Sequence, residues 1–367
     1  MRLGAVVAYG LEFERGYPLE FVVEYGLFLA KTVTLVVAIL LVVAVMFALG
    51  SKGRRPERGH IEVSSLNESL DNVTRTLKQV VLSENDWKAE AKAEKKKHKD
   101  QKKELKKAEK AHTEERKPRV YVIDFDGDIA ASAVDQLREE VTAVLSVAEP
   151  VDEVVVRLES PGGMVHSYGL AASQLSRVVS KNIKLTVAVD KVAASGGYMM
   201  ACLATHLIAA PFALLGSIGV VAQIPNFNRF LKGKEIDVEV LTAGEYKRTL
   251  TMLGENTEKG REKFIEELED VHTLFKEFVK ESRPIVDTDV VATGEAWYGK
   301  RALAHNLVDA LQTSDEYLVD RCEAADVYRI KYVEDKNRMD KVLDRFSSVL
   351  NLKFKSSDLQ HQGPFRF

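Results

Sequence analysis

Ser195 lies in the run Lys191-Val192-Ala193-Ala194-Ser195-Gly196-Gly197-Tyr198, where a strand pattern from Leu185 to Val189 gives way to a helix pattern. Small residues on both sides leave room for a substrate to reach the hydroxyl, and Gly196 and Gly197 allow a close backbone turn. A serine at a helix N-terminus lies beside backbone N–H groups that lack intrahelical acceptors and favour developing negative charge. Acyl transfer needs this combination. The same pattern equally describes a helix opened by a serine N-cap.

A second segment adds to the first. Asp152-Glu153-Val154-Val155-Val156-Arg157-Leu158-Glu159 reads as a strand and runs into Ser160-Pro161-Gly162-Gly163, followed by a helix pattern from Val165 to Val179. A Pro-Gly-Gly turn at a strand end can aim N–H groups outward, as an oxyanion hole requires; it is also an ordinary strand-to-helix turn. Met164, Met199 and Leu203 are candidates for an apolar binding groove and equally for core.

A serine needs a base. The histidines fit this role poorly: His98 and His112 lie in a charged tract, and His60 and His361 lie near stretches expected to be flexible. His166 follows the Pro-Gly-Gly turn, while His206, His272 and His305 have no distinctive setting. A lysine is the other option, but only when neutral, which demands desolvation or a neighbour that lowers its pKa. Lys247 follows a strand pattern at Val238 to Leu241 and a turn at Ala243-Gly244; its local setting also suits a solvated loop lysine.

As a set, these segments resemble the signal-peptide-peptidase-A family of serine–lysine peptidases. The resemblance is carried by Ser160-Pro161-Gly162-Gly163, Ala194-Ser195-Gly196-Gly197-Tyr198, Gly216-Ser217-Ile218-Gly219-Val220 and Gly244-Glu245-Tyr246-Lys247. It covers about 118–332 and extends to the N-terminal apolar segment. It implies a ClpP/crotonase-like α/β fold, a repeated β-β-α domain. It further implies Ser195 as nucleophile, Lys247 as general base, Ser217 as the group orienting the lysine amine, and the N–H groups of Gly163 and Gly196 as the oxyanion hole. A ring-shaped homo-oligomer acting on peptides or membrane-protein segments is implied too, with no metal or organic cofactor. The related caseinolytic proteases take a histidine as base about two dozen residues after the serine; here that neighbourhood reads Gly219-Val220-Val221-Ala222. Two rivals are a crotonase-like acyl-CoA enzyme, which needs no Ser195–Lys247 pair, and a silent membrane scaffold, which would tolerate loss of a motif.

The elements that must position these residues alternate. Strand Val120 to Phe125, helix Ala131 to Val147, strand Val154 to Leu158, then helix and strand again, argue for an α/β domain with much parallel pairing. Glu258 to Glu281 reads as an amphipathic helix with Phe264, Leu268, Val271, Phe275 and Phe278 on one face.

Thr32 to Leu49 carries no charge and as a helix spans about 27 Å, close to a bilayer core. An uncleaved single-pass anchor fits better than a signal peptide, because Glu12, Glu14, Glu20 and Glu24 precede it. The expected organisation is an N-terminal extension at 1–25, an anchor at 26–50 and a charged, partly helical linker at 51–117. A catalytic domain at 118–335 and a C-terminal helix and flexible tail at 336–367 complete it. The resemblance implies a bacterial inner membrane. Lys52, Arg54, Arg55 and Arg58 after the anchor point to a cytoplasmic domain, whereas the family points to the periplasmic face.

Charge is uneven. Twelve Lys and one Arg against seven acidic residues give Lys88 to Lys117 a net +6, so with −3 overall the remainder carries −9. That acidic remainder gives no sign of nucleic-acid binding. Cys202 and Cys322 make neither a disulfide framework nor a zinc motif.

Overall fold

The computed structural model describes residues 17–51, 59–90, 92, 96 and 116–334. Val154-Val155-Val156 and Leu185 to Val189 are continuous apolar runs, the pattern of strands covered on both faces. They form β3 (Glu153–Glu159) and β4 (Lys184–Val189), side by side in the middle of the main sheet. On one side of β3 lie β2 (Arg119–Asp126), β10 (Asp326–Glu334) and the edge strand β1 (Gly59–Ser65); beyond β4 lie β6 (His206–Ala209) and β9 (Ala310–Leu311). Every neighbouring pair is parallel except β1 with β10.

Successive strand residues face opposite sides, so Val154 and Val156 enter one core and Val155 the other. The larger core packs under α3 (Val134–Leu145), α4 (Val165–Val179) and α5 (Gly196–Ala201), through Leu137, Val141, Leu175, Val178 and Met200. The smaller core on the other face is closed by Tyr317 and Leu318 of α7 (Ser314–Ala324). A second sheet, β5 (Val192–Ala194), β7 (Leu214–Gly216) and β8 (Ala296–Tyr298), is joined to the first by a bridge between Ser160 and Ala193. Because β3 and β4 run in the same direction, the chain leaves both at one end of the sheet. The segments 160–164 and 190–195 therefore meet there.

The α/β architecture with parallel pairing agrees with the sequence reading, and two segments differ from it. Within the stretch read as linker, Gly59–Ser65 pairs with β10 from Gly59↔Glu334 to Ser65↔Tyr328, and α2 (Leu66–Val81) follows. Ser65 caps α2 by accepting the Glu68 N–H, and the Asn67 side chain bonds Cys322, Ala325 and Val327 backbone atoms. The folded unit thus begins at Gly59, ahead of the boundary at 118. The expected strand Val238 to Leu241 is irregular, with Val240 and Leu241 exposed, and it pairs with no strand among the described residues. The amphipathic helix is present as α6 (Glu258–Ser282); Phe275 and Val279 are buried and Phe278 packs on the core.

The apolar segment forms helix α1 (Tyr17–Ser51), with Val23–Val42 long and apolar enough to cross a membrane and none of it buried. Twenty residues span about 30 Å. The Thr32 and Thr34 hydroxyls donate to the carbonyls of Phe28 and Ala30 at 2.8 and 2.7 Å, so neither polar group is left without a partner in that stretch. The basic residues 52–58, most of the linker's charged second half, residues 1–16 and the C-terminal stretch 336–367 lie outside the described residues.

Candidate active site

Ser195 stands between β5 and α5 with φ 51 and ψ −117, a conformation that L residues adopt only when the surroundings impose it. Here the clamps are backbone bonds: the Ser195 N–H donates to Gly216 O at 2.7 Å, and its carbonyl accepts from Met199 N at 3.0 Å. The side chain makes no capping bond and is half-buried, so the hydroxyl is presented rather than used. A strained strand-to-helix turn of this kind holds the serine of a nucleophile elbow.

The neighbouring glycines are required for space. A Cβ at Gly196 would strike the Tyr168 ring, and one at Gly197 would lie 2.6 Å from Ser160 O. The Pro-Gly-Gly turn lies directly against this loop. Gly162 has φ +88, and a Cβ there would lie 2.6 Å from Ala194 O and 2.8 Å from Gly196 N. A Cβ at Gly163 would run into Ile129.

A buried relay fixes the turn. Tyr168 OH donates to Asp128 O at 2.7 Å, so the 2.6 Å contact between Tyr168 and Ser160 is a bond donated by the serine. Ser160 Oγ in turn accepts the Gly162 N–H at 3.1 Å. Burial pushes the Tyr168 phenol above its ordinary value, which keeps its proton in place as a donor. Sequence reasoning quoted Ser160 only as part of a turn and missed Tyr168; an aromatic eight residues after a strand-end serine is no signal without the fold.

The consequence is a pair of N–H groups beside the serine. Gly163 N–H has no acceptor among the described residues, and Gly196, as the first residue of α5, has no intrahelical one. Gly163, Ser195 and Gly196 line one cleft, whose remaining walls are Val165, Met199, Gly219, Val220 and, from α6, Val271 and Phe275. Two unsatisfied donors and a free hydroxyl facing an apolar cleft can hold an acyl group and stabilise its oxyanion. Of the apolar candidates, Met199 lines the cleft, Met164 is exposed, and Leu203 packs on the core.

Ser217 and Lys247 are placed differently. Ser217, with φ 50, is held by its N–H to Glu295 O at 2.7 Å, and its hydroxyl points to Gly294 O at 3.4 Å. Lys247 is exposed, lines no part of the cleft, and its side chain makes no hydrogen bond or ion pair among the described residues. The turn that carries it is tied to α6 by the Glu245–Lys259 pair at 2.5 Å and by Lys263 over the Tyr246 ring. Ser195, Gly163 and Gly196 are therefore together at one cleft; Lys247 is not joined to them. Among the described histidines, His272 is bonded to Ile218 O, and His305 packs against Trp297 with the rings tilted by 54°. Cys202, at the end of α5, is fully enclosed, and burial pushes its thiol up to about 12, which makes it a poor nucleophile.

Two family models match this chain, Peptidase family S49 N-terminal over residues 20–175 and Peptidase family S49 over residues 177–327. The chain is 53% identical over 311 residues to the probable protease SohB of Haemophilus influenzae, covering 84% of this chain and 88% of that protein. It is 45% identical over 306 residues to the probable protease SohB of Buchnera aphidicola from Schlechtendalia chinensis, covering 83% of this chain and 100% of that protein. A solved structure of a membrane-bound stomatin-specific protease with a substrate peptide covers 64% of this chain and 100% of its own, at 14% identity and a TM-score of 0.38. The family models together span most of the chain, and the relatives match along nearly their whole length: the chain belongs to peptidase family S49 and is a peptidase of the serine type.

Proposed function

We propose that Ser195 is the nucleophile, Lys247 the general base, Ser217 the group that orients the lysine amine, and the Gly163 and Gly196 N–H groups the oxyanion hole. The observation that carries this reading is the strained Ser195 turn, with two residues whose N–H groups have no acceptor among the described residues lining the same cleft. Ser195 Oγ attacks the scissile carbonyl as neutral Lys247 takes its proton. The two N–H groups hold the tetrahedral oxyanion. Collapse breaks the C–N bond, the lysine returns the proton to the leaving amine, and water, deprotonated by the same base, releases the acyl group.

The base role requires the Lys247 turn to reach the cleft. The excursion that carries it exposes Val221, Phe230 and Leu241 at 92%, 65% and 89%, more apolar surface than an isolated protomer keeps in water. This supports a ring-shaped homo-oligomer in which the excursion packs on neighbouring copies and Lys247 is ordered at a Ser195. Helix α1 anchors the enzyme as a single-pass protein of the bacterial inner membrane. Its substrates are peptides such as signal-peptide remnants or segments of membrane proteins.

The test is peptide hydrolysis by the full chain beside Ser195→Ala and Lys247→Ala, with assembly followed by sedimentation. Both variants assemble and are inactive under this reading; turnover retained by either one contradicts it.

A further inference from the structure

We propose that His272 is a positioning residue that fixes the cleft wall formed by Gly219 and Val220. The inference rests on Ser195 as nucleophile. His272 lies half-buried on α6, between Val271 and Phe275, which both line the cleft. Its Nε2 lies 3.2 Å from Ile218 O. A carbonyl can only accept, so Nε2 carries the hydrogen and the imidazole donates, whether neutral or protonated.

The bond falls at a critical point of the chain. Gly216 O is held by Ser195 N, Ser217 N by Glu295 O, and the Ile218 side chain is fully buried. From Gly219 to Pro225 no hydrogen bond ties the chain down among the described residues, yet Gly219 and Val220 form one wall of the cleft. The His272 bond sets the plane of the Ile218–Gly219 peptide, and so the direction in which the untied run departs. Without it the wall is free to swing about Ile218. Ser195 is held independently by Gly216 and Met199, so its reactivity does not pass through His272.

A peptide offers far more apolar surface to this wall than an acetyl group does, so a displaced wall weakens peptide binding selectively. The experiment therefore compares two substrates on the full-length enzyme: an apolar peptide, and p-nitrophenyl acetate, whose acyl part is one methyl group beyond the carbonyl. His272→Phe keeps a planar aromatic ring, slightly larger, and removes the donor; His272→Gln restores an amide N–H at about the reach of Nε2. The expected result is a KM for the peptide raised about tenfold in His272→Phe, kcat little changed, the acetate burst unchanged, and His272→Gln close to wild type. An unchanged peptide KM in His272→Phe overturns the inference, as does equal loss of both activities or failure of His272→Gln to recover. A wild-type burst that persists in Ser195→Ala instead overturns the reading of Ser195, and the inference falls with it.

Discussion

The amide N–H of Ser195 is bonded to the carbonyl of Gly216 at 2.7 Å. This one bond joins the end of β5 to the end of β7 and holds the serine in its left-handed conformation. It also places Ser217, the next residue after Gly216, beside the serine loop. Gly216 has φ +92, so the turn that offers its carbonyl is itself one that favours glycine. Two motifs more than twenty residues apart in the chain become a single backbone unit.

The Pro-Gly-Gly turn depends on the Tyr168 hydroxyl. Tyr168→Phe leaves the buried Ser160 Oγ–H without its acceptor and takes one of two donors from the Asp128 carbonyl, which keeps the Ala131 N–H at 3.0 Å. The expected cost is about 1–3 kcal/mol, read from the urea midpoint. Turnover falls with it, because the Gly163 N–H loses its fixed direction. Wild-type turnover in this variant would show that the relay does not hold the turn.

Gly162→Ala is expected to be worse for catalysis than for folding. The new methyl would press on Ala194 O and Gly196 N, the two atoms flanking Ser195, at a backbone φ of +88. Displacement of the loop by about 1 Å lowers kcat/KM on the order of a hundredfold. Parallel circular dichroism melts and peptide assays separate the two effects.

Val271 is the half-buried wall residue from α6. Val271→Ala widens the cleft by two methyl groups without opening the core. Preference beside the cut then moves toward larger apolar residues, by about tenfold in relative kcat/KM. Cleavage-site profiling with an apolar peptide library measures the shift; an unchanged profile removes this cleft from substrate selection.

Asp309 is one of the carboxylates, with Asp124, Asp152 and Glu153, that tie stability to acid pH. Burial disfavours its carboxylate, but the bond from Arg283, at 2.6 Å and 5% exposed, outweighs this and holds the group below the ordinary carboxylate range. A depressed carboxylate stabilises the fold above its unfolded pKa of about 4, and the contribution is lost as pH falls through the lower folded value. Asp309→Asn removes the counter-charge of the Arg283 guanidinium, which keeps its Nε bond to Asn306 O, and should cost about 1–2 kcal/mol at pH 7 because the carboxylate is partly exposed to solvent. Its stability should also fall less steeply than wild type below pH 4. Urea midpoints for both proteins at pH 7 and pH 3 test the sign.

Much of this was legible from local pattern. The apolar runs of β3 and β4, the helix after Gly163 and the turn before Ser195 each announce themselves within a dozen residues. What stayed hidden depended on distant partners. β1 reads as part of a polar tract because it is an exposed edge strand, and only β10, over two hundred residues away, makes it one. The positive φ of Ser195 was equally invisible, since the glycines beside it drew the conformational argument while their role is to leave space for Tyr168 and Ser160. Val238 to Leu241 has strand composition but no strand to pair with. The position of Lys247 follows from that irregular excursion, so no local pattern could place it.

Every catalytic step depends on acylation of Ser195, and the position of the acyl group can be read from the protein itself. The full-length enzyme is incubated with p-nitrophenyl acetate, quenched in acid during the burst, digested and mapped by mass spectrometry. An acetyl group is expected on Ser195, absent in Ser195→Ala, with a deacylation rate equal to the steady-state rate. Turnover with Ser195 unmodified, or an acetyl group carried by another residue at the burst stoichiometry, would contradict it.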